Sequence, residues 1–367
     1  MNRDQYVDDD GGDAIDVRAI AFYLPQYHPV PENDAWWGKG FTEWSNVARA
    51  RPLFAGHHQP QLPADLGFYD LRLPEVREQQ AALARGCGLH GFCYYHYWFN
   101  GRRILEKPLE AVLQSGQPEF PFCVCWANEA WTTRWDGGTR DVVLDQQYSA
   151  EDDIAFIRHL IPYFRDRRYI RVHDKPLLLV YIPTYLPEPA ATAARWRREC
   201  AAAGLPGLYL CAGRTRMGVD PAAMGFDAAF DFPPNCQPAG FRIIDPASLP
   251  GLVPGFRGRI ADYRSVATRY LGDHGPGFRL HKAVMTPWDN TARHRENATL
   301  FLNAHPEYYE TWLCETVEWT NATNPPGERL VFINAWNEWA EGAHLEPDQR
   351  HGHRYLEATR RALGGPA

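Results

Sequence analysis

Leu330-Val331-Phe332-Ile333-Asn334-Ala335-Trp336-Asn337-Glu338-Trp339-Ala340-Glu341-Gly342 decides the fold. It begins as a continuous apolar run and ends as a cluster of Trp, Asn and Glu. A run without polar alternation suits a strand buried on both faces, as strands of a parallel sheet are. Such runs recur at residues 17–24, 90–98, 120–128, 176–181, 208–213, 228–232, 282–287 and 330–336. Helical segments lie between them. Residues 74–85 open on Pro74 and stop at Gly86 and Gly88, a start-and-stop pair. Residues 150–164 open on Glu151, Asp152 and Asp153, which suit a helix N-terminus. Further helices are expected over 188–203, 263–271, 306–319 and 353–363. Eight strand–helix units in a 367-residue chain imply a single (β/α)8 TIM barrel, an α/β fold. The barrel is expected over residues 17–367, behind an acidic, disordered or frayed tail over 1–16 that carries Asp8, Asp9 and Asp10. Two long βα loops, 25–73 and 233–258, would lie at the C-terminal face, where barrel active sites occur.

Composition narrows the function. The net charge is −7 and no basic run stands out, which argues against a nucleic-acid partner. No apolar run approaches the roughly 20 residues of a membrane span. The N-terminus lacks a basic segment followed by an apolar one, so a cytoplasmic location is expected, with export by another route left open. Eight cysteines lie mostly within apolar runs and read as buried hydrophobes. His57 and His58 are adjacent without completing a metal set, and no G-x-G-x-x-G or P-loop sequence occurs, so no metal or cofactor is expected. No protein partner is implied.

Aromatic content is high, with Trp 13, Tyr 18 and Phe 18. Many of these residues sit beside amides and carboxylates at strand ends. Such mixtures suit carbohydrate, because sugar C–H faces lie on rings while hydroxyls need donors and acceptors. The candidate substrate-binding residues are therefore Tyr23, Gln26 and His28 after the first run, and Trp44 in the loop beyond it. Tyr95, His96 and Trp98 follow from the second run; Trp126, Asn128, Glu129 and Trp131 from the third; Trp288 and Asp289 from the seventh; Trp336, Asn337 and Trp339 from the eighth.

Glu338 and Glu341 are the candidate catalytic pair. At i and i+3 they face opposite sides on a strand but one side on a helical turn. Glycoside hydrolysis needs two carboxyl groups, one protonated and one not, and burial with like-charge proximity splits their pKa values. Glu129 is the rival, since a carboxylate at a strand end could pair with a later Glu in an ordinary retaining mechanism. Glu43 is a candidate for an outer subsite, and Glu346 for orienting a neighbour.

Residues 21–28, 36–44, 94–99 and 334–342 resemble the WbsX-type family, whose members are often labelled glycosyltransferases of polysaccharide and O-antigen clusters. That family is similar to glycoside hydrolase family 99, the endo-α-mannosidases and endo-α-mannanases. The resemblance runs from about Val17 to the C-terminus. It implies a metal-independent (β/α)8 barrel with a retaining mechanism through a 1,2-anhydro sugar. Carried onto this chain, Glu338 would act as base on the substrate's 2-hydroxyl, and Glu341 would protonate the leaving oxygen and later activate water. One position departs: the hydrolase motif usually has His where this chain has Ala340, so the sugar need not be mannose. The expected function is a retaining, endo-acting glycoside hydrolase on a bacterial polysaccharide or O-antigen-type oligosaccharide. The alternatives are a glycosyltransferase or transglycosylase, and a non-catalytic glycan-binding barrel.

Overall fold

The computed structural model describes residues 16–132, 142–216, 218–235, 241–273 and 277–365. The acidic run Asp8–Asp10 lies outside them. Eight staves form a parallel barrel: β1 (Arg18–Tyr23), β2 (Gly91–Phe99), β3 (Phe122–Trp126), β4 (Lys175–Val180), β5 (Tyr209–Arg214), β6 (Ala228–Asp231), β7 and β8 (Leu330–Asn334). Each pairs in parallel with the next, and β8 returns to β1 with Arg18 opposite Leu330. β7 comes in two pieces either side of Lys282. Leu280–His281 pairs with β6, and Ala283–Met285 pairs with β8, which closes the barrel.

The staves are apolar throughout because both faces are covered. The inner face carries Phe22, whose ring lies 5.6 Å from Phe332, 5.7 Å from Tyr95 and 5.9 Å from Phe230. Beside these rings on the staves, Cys93, Cys123, Cys125 and Cys211 are fully buried, and the described cysteines are free thiols. The outer face packs on helices α3 (Pro74–Gly86), α5 (Ala150–Phe164), α6 (Pro189–Ala202), α7 (Tyr263–Gly272), α9 (Pro306–Thr323) and α10 (Arg354–Ala362). Ser149 caps α5 by accepting from the Asp152 N–H at 3.1 Å.

The long loops hold more structure than the sequence pattern indicates. The first contains α1 (Pro31–Trp37) and α2 (Glu43–Arg49), and α4 (Lys107–Ser115) follows β2. Beyond β6, Arg259–Asp262 pairs in parallel with Thr299–Leu302, forming a small second sheet over the barrel mouth. After β7 the chain makes the short helix α8 (Thr291–His294). Helices of four to nine residues are too short to establish a 3.6-residue period, so hydrophobic patterning passes over them. Among the described residues, no helix is long and apolar enough to cross a membrane.

Candidate active site

Past β8 the chain reverses within eight residues. Asn337–Glu338 pairs antiparallel with Ala343–His344, and Trp339–Glu341 forms one 3₁₀ turn between them. A 3₁₀ helix has three residues per turn, so residues three apart eclipse. Glu338 and Glu341 therefore project together. Gly342 closes the turn at φ +64°, where an added Cβ would stand 2.7 Å from Gln61 Nε2 and 3.0 Å from the Asp289 N–H nitrogen.

Both carboxylates enter a cavity of about 720 Å³ at the C-terminal mouth of the barrel. Tyr95, Tyr97, Glu129, Tyr181, Trp288 and Arg293 line it with them. A flank cavity of about 730 Å³, between α3 and α10, contains neither carboxylate. Arg293, on α8, joins three carboxylates. Its Nη2 lies 2.9 Å from Glu338 Oε2, its Nη1 2.5 Å from Glu341 Oε1, and its Nε 3.1 Å from Glu43 Oε2. The Glu338 side chain is 6% exposed and that of Glu341 is 19% exposed, so Glu341 is the more open of the two.

Burial pushes both the Glu338 and Glu341 carboxyls above the usual range, and the Arg293 guanidinium pulls each back. Glu129 stands on its own stretch beyond β3, and burial lifts its carboxyl to about 7. Tyr95 and Tyr97 are held well above 10 by burial, with Glu338 adding to each. The arrangement offers two carboxyls bound to one guanidinium, a third whose upward shift Glu341 adds to, and neutral phenols beside them.

Of the residues singled out from sequence, Tyr95, Glu129, Trp288, Glu338 and Glu341 meet in this cavity. The others do not line it, and strand alternation explains four of them. On β2, Tyr95 and Tyr97 turn inward, so His96 and Trp98 turn outward. His96 stacks on His159 of α5 at 5.2 Å, and Trp98 Nε1 donates to Asp152 at 2.9 Å. On β3, Trp126 faces the helices and stacks on Phe156 at 4.4 Å. On β1, Tyr23 faces α3, its hydroxyl donating to Gln80 Oε1 at 2.6 Å.

Asn128 and Asn337 act on backbone instead. Asn128 exchanges hydrogen bonds with Ile182, donating at 2.9 Å and accepting at 2.8 Å. Asn337 does the same with Leu24, at 3.0 and 2.7 Å. Asp289 accepts from Gln59 and Thr291 and pairs with His57 at 2.7 Å, which pins the first long loop. Trp44 and Trp339 pack together, and Trp339 Nε1 donates to Glu346 at 2.6 Å. Trp336 is fully buried against Phe92, and Trp131 lies among Trp36, Trp37 and Tyr97. Gln26 and His28 are fully buried in the first loop. Glu43 is not at an outer subsite: it is fully buried behind Arg293. Ala340 is likewise fully buried.

Tyr97, Tyr181 and Arg293 are cavity residues that the sequence reading missed. Tyr97 was recoverable from Tyr95 by a step of two along a strand. Arg293 stands six residues beyond the Pro287 that ends the seventh run, with no motif around it.

The family model of Glycosyltransferase WbsX matches residues 19–359. The chain is 48% identical over 356 residues to the protein WxcX of Xanthomonas campestris pv. campestris, covering 96% of this chain and 50% of that one. It therefore spans about half the length of that relative. Among solved structures, a glycoside hydrolase-like protein superposes with TM-score 0.63 at 12% identity, covering 96% of this chain and 94% of that one. A family 99 endo-α-mannosidase of Bacteroides thetaiotaomicron superposes with TM-score 0.57 at 15% identity, covering 95% and 96%. At such identities the likeness is one of fold.

Proposed function

The chain belongs to the WbsX family, a carbohydrate-active family with a glycoside hydrolase-like barrel, and from that premise we propose that it is a retaining, endo-acting glycoside hydrolase on a bacterial polysaccharide or O-antigen-type glycan. The observation that carries this reading is the placement of Glu338 at the cap of one 3₁₀ turn and Glu341 at its end, both entering one cavity.

In the first step Glu338 takes the proton of the substrate's 2-hydroxyl. That oxygen attacks the anomeric carbon, the bond to the leaving oxygen breaks, and Glu341 supplies the leaving oxygen's proton. In the second step Glu341 accepts a proton from water, which opens the 1,2-anhydro ring at the anomeric carbon, and Glu338 returns its proton to the 2-oxygen. Two inversions give net retention. The greater exposure of Glu341 suits the group that meets leaving group and water. Burial raises the Glu341 carboxyl, the direction that suits a group that must hold a proton for the leaving oxygen. Glu129, facing the pair across the cavity, and the hydroxyls of Tyr95 and Tyr97 are the substrate-binding groups of this reading.

The family's description is that of a glycosyltransferase, and the alternative reading is transfer, in which a sugar hydroxyl would replace water in the second step. Wild type, Glu338→Gln and Glu341→Gln are to be compared on a panel of bacterial polysaccharides, with and without nucleotide sugars, with products read by mass spectrometry. Wild type is expected to release oligosaccharides without a donor, and each variant to lose at least about 10²-fold. Product formed only with a nucleotide sugar would overturn hydrolysis.

A further inference from the structure

The hydrolytic reading uses two carboxylates, but the structure gathers three on one cation. Arg293 comes from the loop after β7, Glu43 from the loop after β1, and Glu338 and Glu341 from the loop after β8. Residues this far apart in sequence converge on a guanidinium whose side chain is 4% exposed. We propose that Arg293 is the positioning residue of the pair: its fork fixes where Glu338 and Glu341 stand and keeps negative charge between them, while Glu43 braces it from behind.

The geometry supports each part. A guanidinium presents its nitrogens in one rigid plane, so two carboxylates bound to Nη1 and Nη2 cannot drift independently. Without a cation, two neighbouring buried carboxylates repel, and the pair takes up a proton more readily. Glu43 occupies the remaining edge through Oε2, and its Oε1 is buried without a hydrogen-bond partner. The titratable groups facing the cluster are Tyr27 from the first loop, Tyr95 and Tyr97 from β2, Tyr181 just past β4, and Glu129 and His294 in the lining of the same cavity. A lysine at 293 would keep the charge but lose the fork.

This inference rests on Glu338 and Glu341 being the acting pair, so its test is spectroscopic and needs no substrate. The protonated carboxyl band is followed by infrared difference spectroscopy as pH is titrated, with Glu338→Gln and Glu341→Gln assigning the two groups. Arg293→Gln is expected to raise the pair's midpoints by about one to three pH units, the effect of removing an adjacent opposite charge. Arg293→Lys is expected to raise them less. Glu43→Gln is expected to lower them, because it removes a like charge. Should Arg293→Gln fail to melt cooperatively, Arg293→Lys and Glu43→Gln decide. Midpoints that stay at wild-type values in these variants overturn the positioning role, even where Glu338→Gln and Glu341→Gln are inactive. Shifted midpoints alongside active glutamine variants would instead leave the cluster standing and remove the catalytic reading.

Discussion

Glu129 shows how a single side chain couples the cavity to stability. Its carboxyl is lifted from 4.5 to about 7 by burial, so ionising it costs the folded state. The sign follows from linkage: folding is unaffected below about pH 4.5 and loses stability as pH rises through 7. Glu129→Gln removes that cost. It is expected to leave the melting temperature unchanged at pH 4 and to raise it at pH 8, by at most about 3 kcal/mol of stability, as scanning calorimetry at the two pH values would measure. The same substitution is expected to weaken glycan binding. At this scale the sequence was legible where spacing alone sets direction, as for Glu338 and Glu341 on a turn. It was illegible for Arg293, because a buried cation is placed by the three carboxylates it meets and not by its neighbours in the chain.

The elements that present these residues are tied at their ends by side chains acting as backbone. Asn337 spans the β8–β1 seam and Asn128 the β3–β4 seam, each exchanging two hydrogen bonds with a single residue just past the end of the neighbouring stave. Asn337→Ala would leave the Leu24 N–H and C=O buried and unpaired, at a cost of about 2–4 kcal/mol. A lower denaturation midpoint with an unchanged m-value is the expected result. Sequence reading placed both asparagines among the substrate contacts because an amide at a strand end serves either role equally well. The long helices were legible from caps and period, and α5 spans the residues expected of it. The aromatic strand ends misled for a different reason. On a stave apolar on both faces, composition gives no inside or outside, and only the closed barrel tells Tyr95 from His96.

Across the whole molecule, buried imidazoles set the acid limit. Burial holds His96 and His281 down at about 3 and His28 at about 4. Their stabilising effect is complete above about pH 6.5 and is lost as pH falls toward those values. Glu346 and Asp231, lifted by burial to about 7 and 6, act in the opposite sense between there and about pH 4.5. Stability is therefore expected to be nearly level from pH 7 to 5 and to fall steeply below about 4.5. His96→Phe, in a site already lined by Phe156 and Tyr163, is expected to extend the melting curve to lower pH. Thermal unfolding followed across pH 3–7 tests both statements.

The outward turn of the strand-end tryptophans also determines what light emitted by this protein can report. Of the chain's 13 indoles, Trp288 alone among the described residues lines the cavity. Trp126, Trp131, Trp196, Trp312, Trp336 and Trp339 are sealed in the core. Intrinsic fluorescence is thus largely a signal of folding, and a saccharide entering the cavity perturbs one emitter against a constant background. Trp288→Phe should silence that component while leaving the unfolding signal almost intact, so the difference between the two spectra isolates occupancy of the cavity from the integrity of the barrel.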